Sequence, residues 1–333
     1  MLQKIVVAQP IHSSVASLLR PYGELWINPG PEPLSSADLA DHCADADAVM
    51  AFMTERIDET FLSRCPSLRI VAGALKGYNN LDVEACSQRG VYVTVVPDLL
   101  TEPTAELTVG MMIAVARNLT AGDRYVRSGE FHGWRPRFFG GSLCEANVTI
   151  IGAGAVGQTV MRMLSGFGCK LTYVDKKPLT PELEAKFDCK KSELSEALPQ
   201  ADFVVLAIHL MADTHHLVDD AFLNLMKPGS YLINPARGSV VDEAAVTRAL
   251  QSEHLAGYAA DTFEMEDWAL EDRPDGVAEV LRTSDQTVLT PHIGSAVRRV
   301  REEIELSAAR SIIDVAEGRL PSGVVNSHVK STN

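Results

Sequence analysis

Along the first hundred residues, apolar runs of strand length alternate with segments of helical spacing. The runs are Lys4–Ala8, Ala48–Met53, Leu68–Ala74 and Val91–Val95; His12–Leu19, a segment from Ala37, and Asp58–Arg64 carry the helix signals between them. Short buried strands alternating with helices predict a parallel sheet, because a parallel pair needs a crossover to return to the same edge. Pro29-Gly-Pro-Glu-Pro-Leu-Ser-Ser is turn chemistry. Thr101–Asn118 is small and apolar along its length and predicts one long helix. Residues 122–147 break the pattern. They hold Arg124, Arg127, Trp134, Arg135, Arg137, Phe138 and Phe139 among five glycines, which predicts a dimer arm or an active-site lid.

The pattern resumes at Val148-Thr-Ile-Ile-Gly-Ala-Gly-Ala-Val-Gly157, where a strand-length run enters Gly152, Gly154 and Gly157 and a helical stretch follows. In a strand–turn–helix unit the first glycine permits the turn, the second admits a pyrophosphate and the third lets helix pack on strand. Ala155 and Val156 open the helix whose free N–H groups would meet the phosphate charge. The next strand, Leu171–Val174, runs into Asp175, at the distance where a dinucleotide fold keeps its ribose-binding acid. A carboxylate there favours NAD over NADP. Lys176 and Lys177 follow it and soften that preference.

Four further runs end in polar groups: Phe203–His209, Tyr231–Arg237, Leu255–Asp261 and Gln286–His292. In an open α/β sheet the ligand lies beyond the carboxyl ends of the strands, so these ends are expected at one crevice. Arg237 offers a fork for an oxyanion, and His292 can move a proton near neutral pH. Asp261 through Glu266 supplies candidates for the acid on its far ring nitrogen. His215 and His216 read as surface residues.

With 333 residues the chain is long enough for two domains, and 46% hydrophobic with 22% charged residues is ordinary globular composition. A formal net charge of −14 argues against nucleic acid and anionic membrane as partners, and means an anionic substrate must be drawn in by local cations. No segment reads as a membrane span. The six cysteines, 43, 65, 86, 144, 169 and 189, show no ligand spacing, which predicts reduced thiols, a cytoplasmic setting and no metal.

Asn234-Pro-Ala-Arg-Gly-Ser-Val-Val-Asp-Glu243, Asp261-Thr-Phe-Glu-Met-Glu266 and Thr290-Pro-His-Ile-Gly294 resemble the signatures of the D-isomer-specific 2-hydroxyacid dehydrogenase family. The resemblance covers nearly the whole chain. It implies two Rossmann-like doubly wound parallel-sheet domains. Residues 1–99 with 296–333 would form a flavodoxin-like substrate domain. Residues 100–295 would form the inserted NAD-binding domain, with 100–147 as linking helix and dimer arm. It makes Arg237 a substrate ligand, His292 the general base, Glu266 its partner and Asp261 a nicotinamide-carboxamide contact. Thr104, His209 and Ala236 join the cofactor side, although the family usually has proline at position 209.

Within that family the segments 50–53, 74–80, 96–101, 126–131, 257–268 and 291–297 resemble the phosphite-oxidising group. That likeness implies NAD-dependent oxidation of phosphite to phosphate, a water deprotonated by His292 attacking phosphorus. Lys76, Arg237 and Arg301 would balance a dianion, and Met53 and Trp134 would wall the pocket. A 2-hydroxyacid dehydrogenase of the glyoxylate or hydroxypyruvate reductase type is the alternative, and an NAD-sensing corepressor-like binding protein is a more distant one. A homodimer is expected.

Overall fold

The computed structural model describes residues 1–267, 270 and 272–326. The chain divides into two compact units. The first holds Met1–Leu100 and the chain from Ala296, and the second holds Thr101–Asp267 and Asp272–Ser295.

The first unit is a five-stranded sheet of β1 (Lys4–Val7), β2 (Glu24–Ile27), β3 (Ala48–Ala51), β4 (Ile70–Gly73) and β5 (Tyr92–Thr94), in the order β2-β1-β3-β4-β5. Every pairing is parallel. β3 and β4 are buried at each position, which is why their sequences are continuously apolar rather than alternating. The helices Ser36–Cys43, Glu59–Arg64 and Val83–Gln88 begin after Ser35, Asp58 and Asp82, whose side chains each accept a backbone N–H of the first turn. The last helix, Arg298–Ala316, buries Val300, Ile304, Ala308, Ile312 and Val315 in this unit's core, a helical stripe at steps of four and three.

The second unit is a seven-stranded sheet of β6 (Asn147–Ile151), β7 (Lys170–Val174), β8 (Cys189–Lys191), β9 (Phe203–Leu206), β10 (Ser230–Asn234), β11 (Leu255–Ala260) and β12 (Thr287–Leu289). Its order, β12-β11-β10-β9-β6-β7-β8, reverses direction between β6 and β9. All its pairings are parallel. That reversal is the switch point where a doubly wound sheet opens a crevice. The expected α/β class with two parallel sheets is therefore the observed one.

Two expectations change. The helix expected over Thr101–Asn118 stops at Ala116, because Asn118 turns left-handed at φ 51°, and a separate helix runs Leu119–Arg127. Contrary to the expectation that no segment reads as a membrane span, Asp98–Ala116 is long and apolar enough for one. Its burial gives the other reason for that composition: Ala105, Met111, Met112, Val115 and Ala116 pack in the core of the second unit.

Candidate active site

The turn after β6 has the geometry its glycines require. Gly152 sits at φ +98°, and a Cβ there would lie 2.3 Å from the Ala207 carbonyl oxygen. A Cβ on Gly157 would lie 2.1 Å from the Gly152 carbonyl oxygen, so the helix Ala155–Leu164 crosses the turn at a distance only glycine allows. Gly154 caps that helix and faces open space. The first N–H groups of a helix lack intrahelical acceptors, so this open turn, with Ala155 and Val156 leading it, fits a pyrophosphate. Asp175 follows β7 and closes the far side. Its Oδ2 accepts the Ala153 N–H at 2.8 Å and its Oδ1 the Lys177 N–H at 3.0 Å. His209 is exposed beyond the end of β9, and its carbonyl accepts the Thr214 hydroxyl at 2.7 Å.

Beyond β11 and β12 the chain builds an acid–base pair. His292 Nδ1 lies 2.6 Å from Glu266 Oε2, with both side chains 24% exposed. Because a carboxylate accepts, the imidazole donates from Nδ1 and leaves Nε2 for chemistry. Glu266 Oε1 accepts the Phe263 N–H at 2.8 Å, which fixes the carboxylate on its own turn. His292 is left-handed at φ 53°, a strained conformation for a residue with a Cβ. Asp261 holds it there. Its Oδ1 accepts the Thr290 hydroxyl at 2.5 Å and the Ile293 N–H at 2.8 Å, and its Oδ2 accepts the Gly294 N–H at 2.8 Å. Burial pushes the Asp261 carboxyl up, and those three donors oppose the shift. Any contact from Asp261 to a carboxamide must share oxygens already holding the 290–294 turn. Thr104 is beside them, since a Cβ on Gly294 would sit 3.1 Å from Asp261 Oδ2 and 3.2 Å from Thr104 Oγ1. Of the acids from Asp261 to Glu266, the structure puts Glu266 on the histidine.

Arg237 follows β10 and is partly buried. Desolvation pulls its pKa down while Asp267 and Glu266 hold it up, so the guanidinium shares the electrostatic environment of the His292 pair. It donates to the Ala236 carbonyl at 2.8 Å, and Ala236 in turn donates to Asn234 Oδ1 at 3.0 Å. A cleft of about 460 Å³ opens beside His292 and Glu266, walled by Phe263, Met265, Leu289 and Pro291.

The remaining expected substrate residues fall in both units. Lys76, Met53 and Arg301 lie in the first unit. Lys76 Nζ pairs with Asp98 Oδ1 at 2.5 Å, Met53 packs against that unit's core, and Arg301 lies 5.9 Å from the centre of the Phe52 ring. Trp134, 77% exposed, lines a second cleft with Tyr125, Arg137 and Phe138 rather than the one at His292.

Sequence reading missed two groups. His216 was expected as a surface residue, yet its ring pairs with Glu264. Glu243, given no role although its motif was recognised, is buried. The only signal in the sequence was the position of Glu243 directly after a capping aspartate.

Residues 109–294 match the model of the D-isomer specific 2-hydroxyacid dehydrogenase NAD-binding domain. The chain is 35% identical over 331 residues to a glyoxylate reductase of Thermococcus onnurineus, covering 98% of this chain and 96% of that one. A solved structure of the TT0316 protein of Thermus thermophilus is similar with a TM-score of 0.88 at 32% identity, covering 97% of this chain and 100% of that one. The NADPH-dependent glyoxylate/hydroxypyruvate reductase of Sinorhizobium meliloti, solved with NADP and malonate, is similar with a TM-score of 0.83 at 26% identity, covering 97% and 96%. The second unit thus contains an NAD-binding domain.

These findings overturn the expectation of phosphite oxidation, because several relatives that match over nearly the whole chain are named for glyoxylate reduction. The features that suggested phosphite also have other uses here. Lys76 already has Asp98 against its charge, and Glu264, in the run that suggested the substrate, is engaged by His216 and Glu243. Trp268, from the same run, lies outside the described residues.

Proposed function

The chain belongs to the D-isomer specific 2-hydroxyacid dehydrogenase family, and from that premise we propose that it interconverts a short 2-oxo acid of the glyoxylate class and its 2-hydroxy acid with NAD(H). The observation that carries this reading is the His292–Glu266 pair, which leaves one imidazole nitrogen to exchange a proton with a substrate oxygen. A bound nicotinamide supplies the hydride. In the reductive direction His292 gives its Nε2 proton to the oxo oxygen, and Glu266 stabilises the imidazolium that precedes the transfer and keeps the ring oriented. Arg237 binds the substrate's carboxylate through its fork. Met53 and Arg301, in the first unit, stay on the substrate side of the proposal. The glycine turn and Asp175 hold the dinucleotide, with a preference for NADH over NADPH set by carboxylate repulsion of a 2′-phosphate. The working form is a homodimer joined through residues 100–147.

The test is the change in NADH absorbance with purified protein. Glyoxylate, hydroxypyruvate and pyruvate are offered with NADH, then with NADPH; glycolate, D-glycerate, D-lactate and phosphite are offered with NAD. Oxidation of NADH by at least one oxo acid, faster than of NADPH, is expected. Turnover of phosphite with none of the carboxylic acids overturns the reading.

A further inference from the structure

Behind the His292–Glu266 pair lies a second carboxylate pair for which the chemistry above has no use. Glu243 is the first residue of the helix Glu243–Gln251 and is 4% exposed. Its Oε1 accepts the Glu264 N–H at 2.9 Å, and Glu264 Oε2 accepts the Glu243 N–H at 3.4 Å. The exchange is reciprocal. His216 completes it by placing Nε2 on Glu264 Oε1. The histidine's backbone is left-handed at φ 49° and is held by its N–H to the Ser239 carbonyl at 2.8 Å. Glu264 and Glu266 share one short 3₁₀ turn, so whatever fixes residue 264 fixes the carboxylate on His292. The turn is tied to the Arg237 loop as well, since the Ser239 N–H donates to Asp267 Oδ2 at 2.8 Å.

We propose that Glu243 and His216 are positioning residues that act through Glu264 to hold the turn bearing Glu266, and thereby set the orientation of His292; this rests on the catalytic reading above.

Each carboxylate accepts the other residue's backbone N–H, which brings two acids close enough for the charge of one to disfavour ionisation of the other. Acids crowd Glu243 from the neighbouring elements: Glu264, Glu266 and Asp267 on the turn, with the Tyr258 phenol on β11. Asp242 and Arg248 lie on its own helix. His216 pairs with Glu264, and Arg237 interacts with Glu266 and Asp267. Burial and this acidic company push the Glu243 carboxyl up to about 7. A raised carboxyl pKa means the folded form holds the proton more tightly. The clamp is therefore firm below the ordinary carboxylate range and loosens as pH rises through about 7.

The experiment compares E243A, E243Q and H216A with the unmodified protein. Two readouts are used: the downfield proton resonance of His292 Nδ1–H, which needs no substrate, and kcat and KM across pH. His216, at 38% side-chain exposure, can be truncated without opening the core. Loss or broadening of the resonance in E243A and H216A is expected, with kcat down ~10-fold or more at unchanged KM. E243Q keeps an acceptor for the Glu264 N–H but cannot ionise. It is expected to retain the resonance, and its kcat relative to the unmodified protein rises ~3-fold or more as pH climbs through the neutral range. An unchanged resonance and kcat in both alanine variants overturns the proposal. So does activity lost equally in all three variants, in proportion to folded protein. If no oxo acid is turned over, the function fails on its own and the resonance still decides the positioning role.

Discussion

Glu266 uses its two oxygens for different tasks, one on the Phe263 N–H at 2.8 Å and one on His292 at 2.6 Å. A glutamine in its place cannot do both. If the amide oxygen accepts from Phe263, the NH₂ faces His292 Nδ1, forces the other tautomer and removes the charge that stabilises the imidazolium. E266Q is therefore expected to lower kcat by ~10²- to 10³-fold with KM within a few-fold, measured by steady-state kinetics on the substrate that the unmodified protein turns over best. A kcat within a few-fold of the unmodified protein would remove Glu266 from the mechanism. At this scale the sequence was informative about single residues and about the His292–Glu266 pair, and silent about what holds that pair. Gly152, Gly157, Asp175, Arg237 and His292 were legible because each stands at the end of an apolar run. The Glu243–Glu264–His216 set was not, because its members lie 21 and 48 residues apart and only packing brings them together.

Among the elements, those with a strong signature were readable, while the edge strands β2 and β8 were not, although the edge strands β5 and β12 were. β3, β4 and β9 are buried throughout and show as uninterrupted apolar runs. β2 and β8 are edge strands, each paired on one side only, and their burial is partial. Cys189-Lys-Lys191 in particular has no alternation to detect. The turn Gly238–Val240 shows the reverse case, a close approach that a motif encodes without explaining. A Cβ on Gly238 would lie 1.8 Å from the Phe263 carbonyl carbon and 2.2 Å from the Glu264 nitrogen. Both are backbone atoms, so relief requires the Arg237 loop and the Glu266 turn to part. G238A is expected to destabilise the protein by about 3 kcal/mol or more. In soluble protein it is expected to lower kcat and raise KM together, because one displacement disturbs both Arg237 and Glu266. Thermal denaturation and steady-state kinetics measure the two effects, and a melting temperature equal to that of the unmodified protein would show that the loops can separate at little cost.

For the whole molecule, the distribution of exposed apolar side chains is the informative quantity. Among the described residues, thirteen large hydrophobic side chains are exposed, and five of them, Leu119, Val126, Phe131, Trp134 and Phe139, fall within one stretch of the arm. Trp134 and Phe139 are 77% and 79% exposed, far more than a soluble surface tolerates in a cluster. The arm is also organised rather than loose. Arg137 stacks on the Tyr125 ring at 4.5 Å and on Phe138 at 5.1 Å, and Tyr125 meets Phe131 edge-on with ring centres 6.2 Å apart. An ordered, aromatic, arginine-bearing patch has the composition of an interface core. The net charge of −14 opposes association of two copies, so the proposed contact would draw on apolar burial, and salt, by screening the repulsion, would not weaken it. The expected outcome by light scattering after size exclusion is twice the chain mass at micromolar concentration, in low and in high salt. The double variant W134D/F139D is expected to run as a folded monomer. A monomeric mass for the unmodified protein would leave the arm's apolar surface without its second copy and overturn the homodimer.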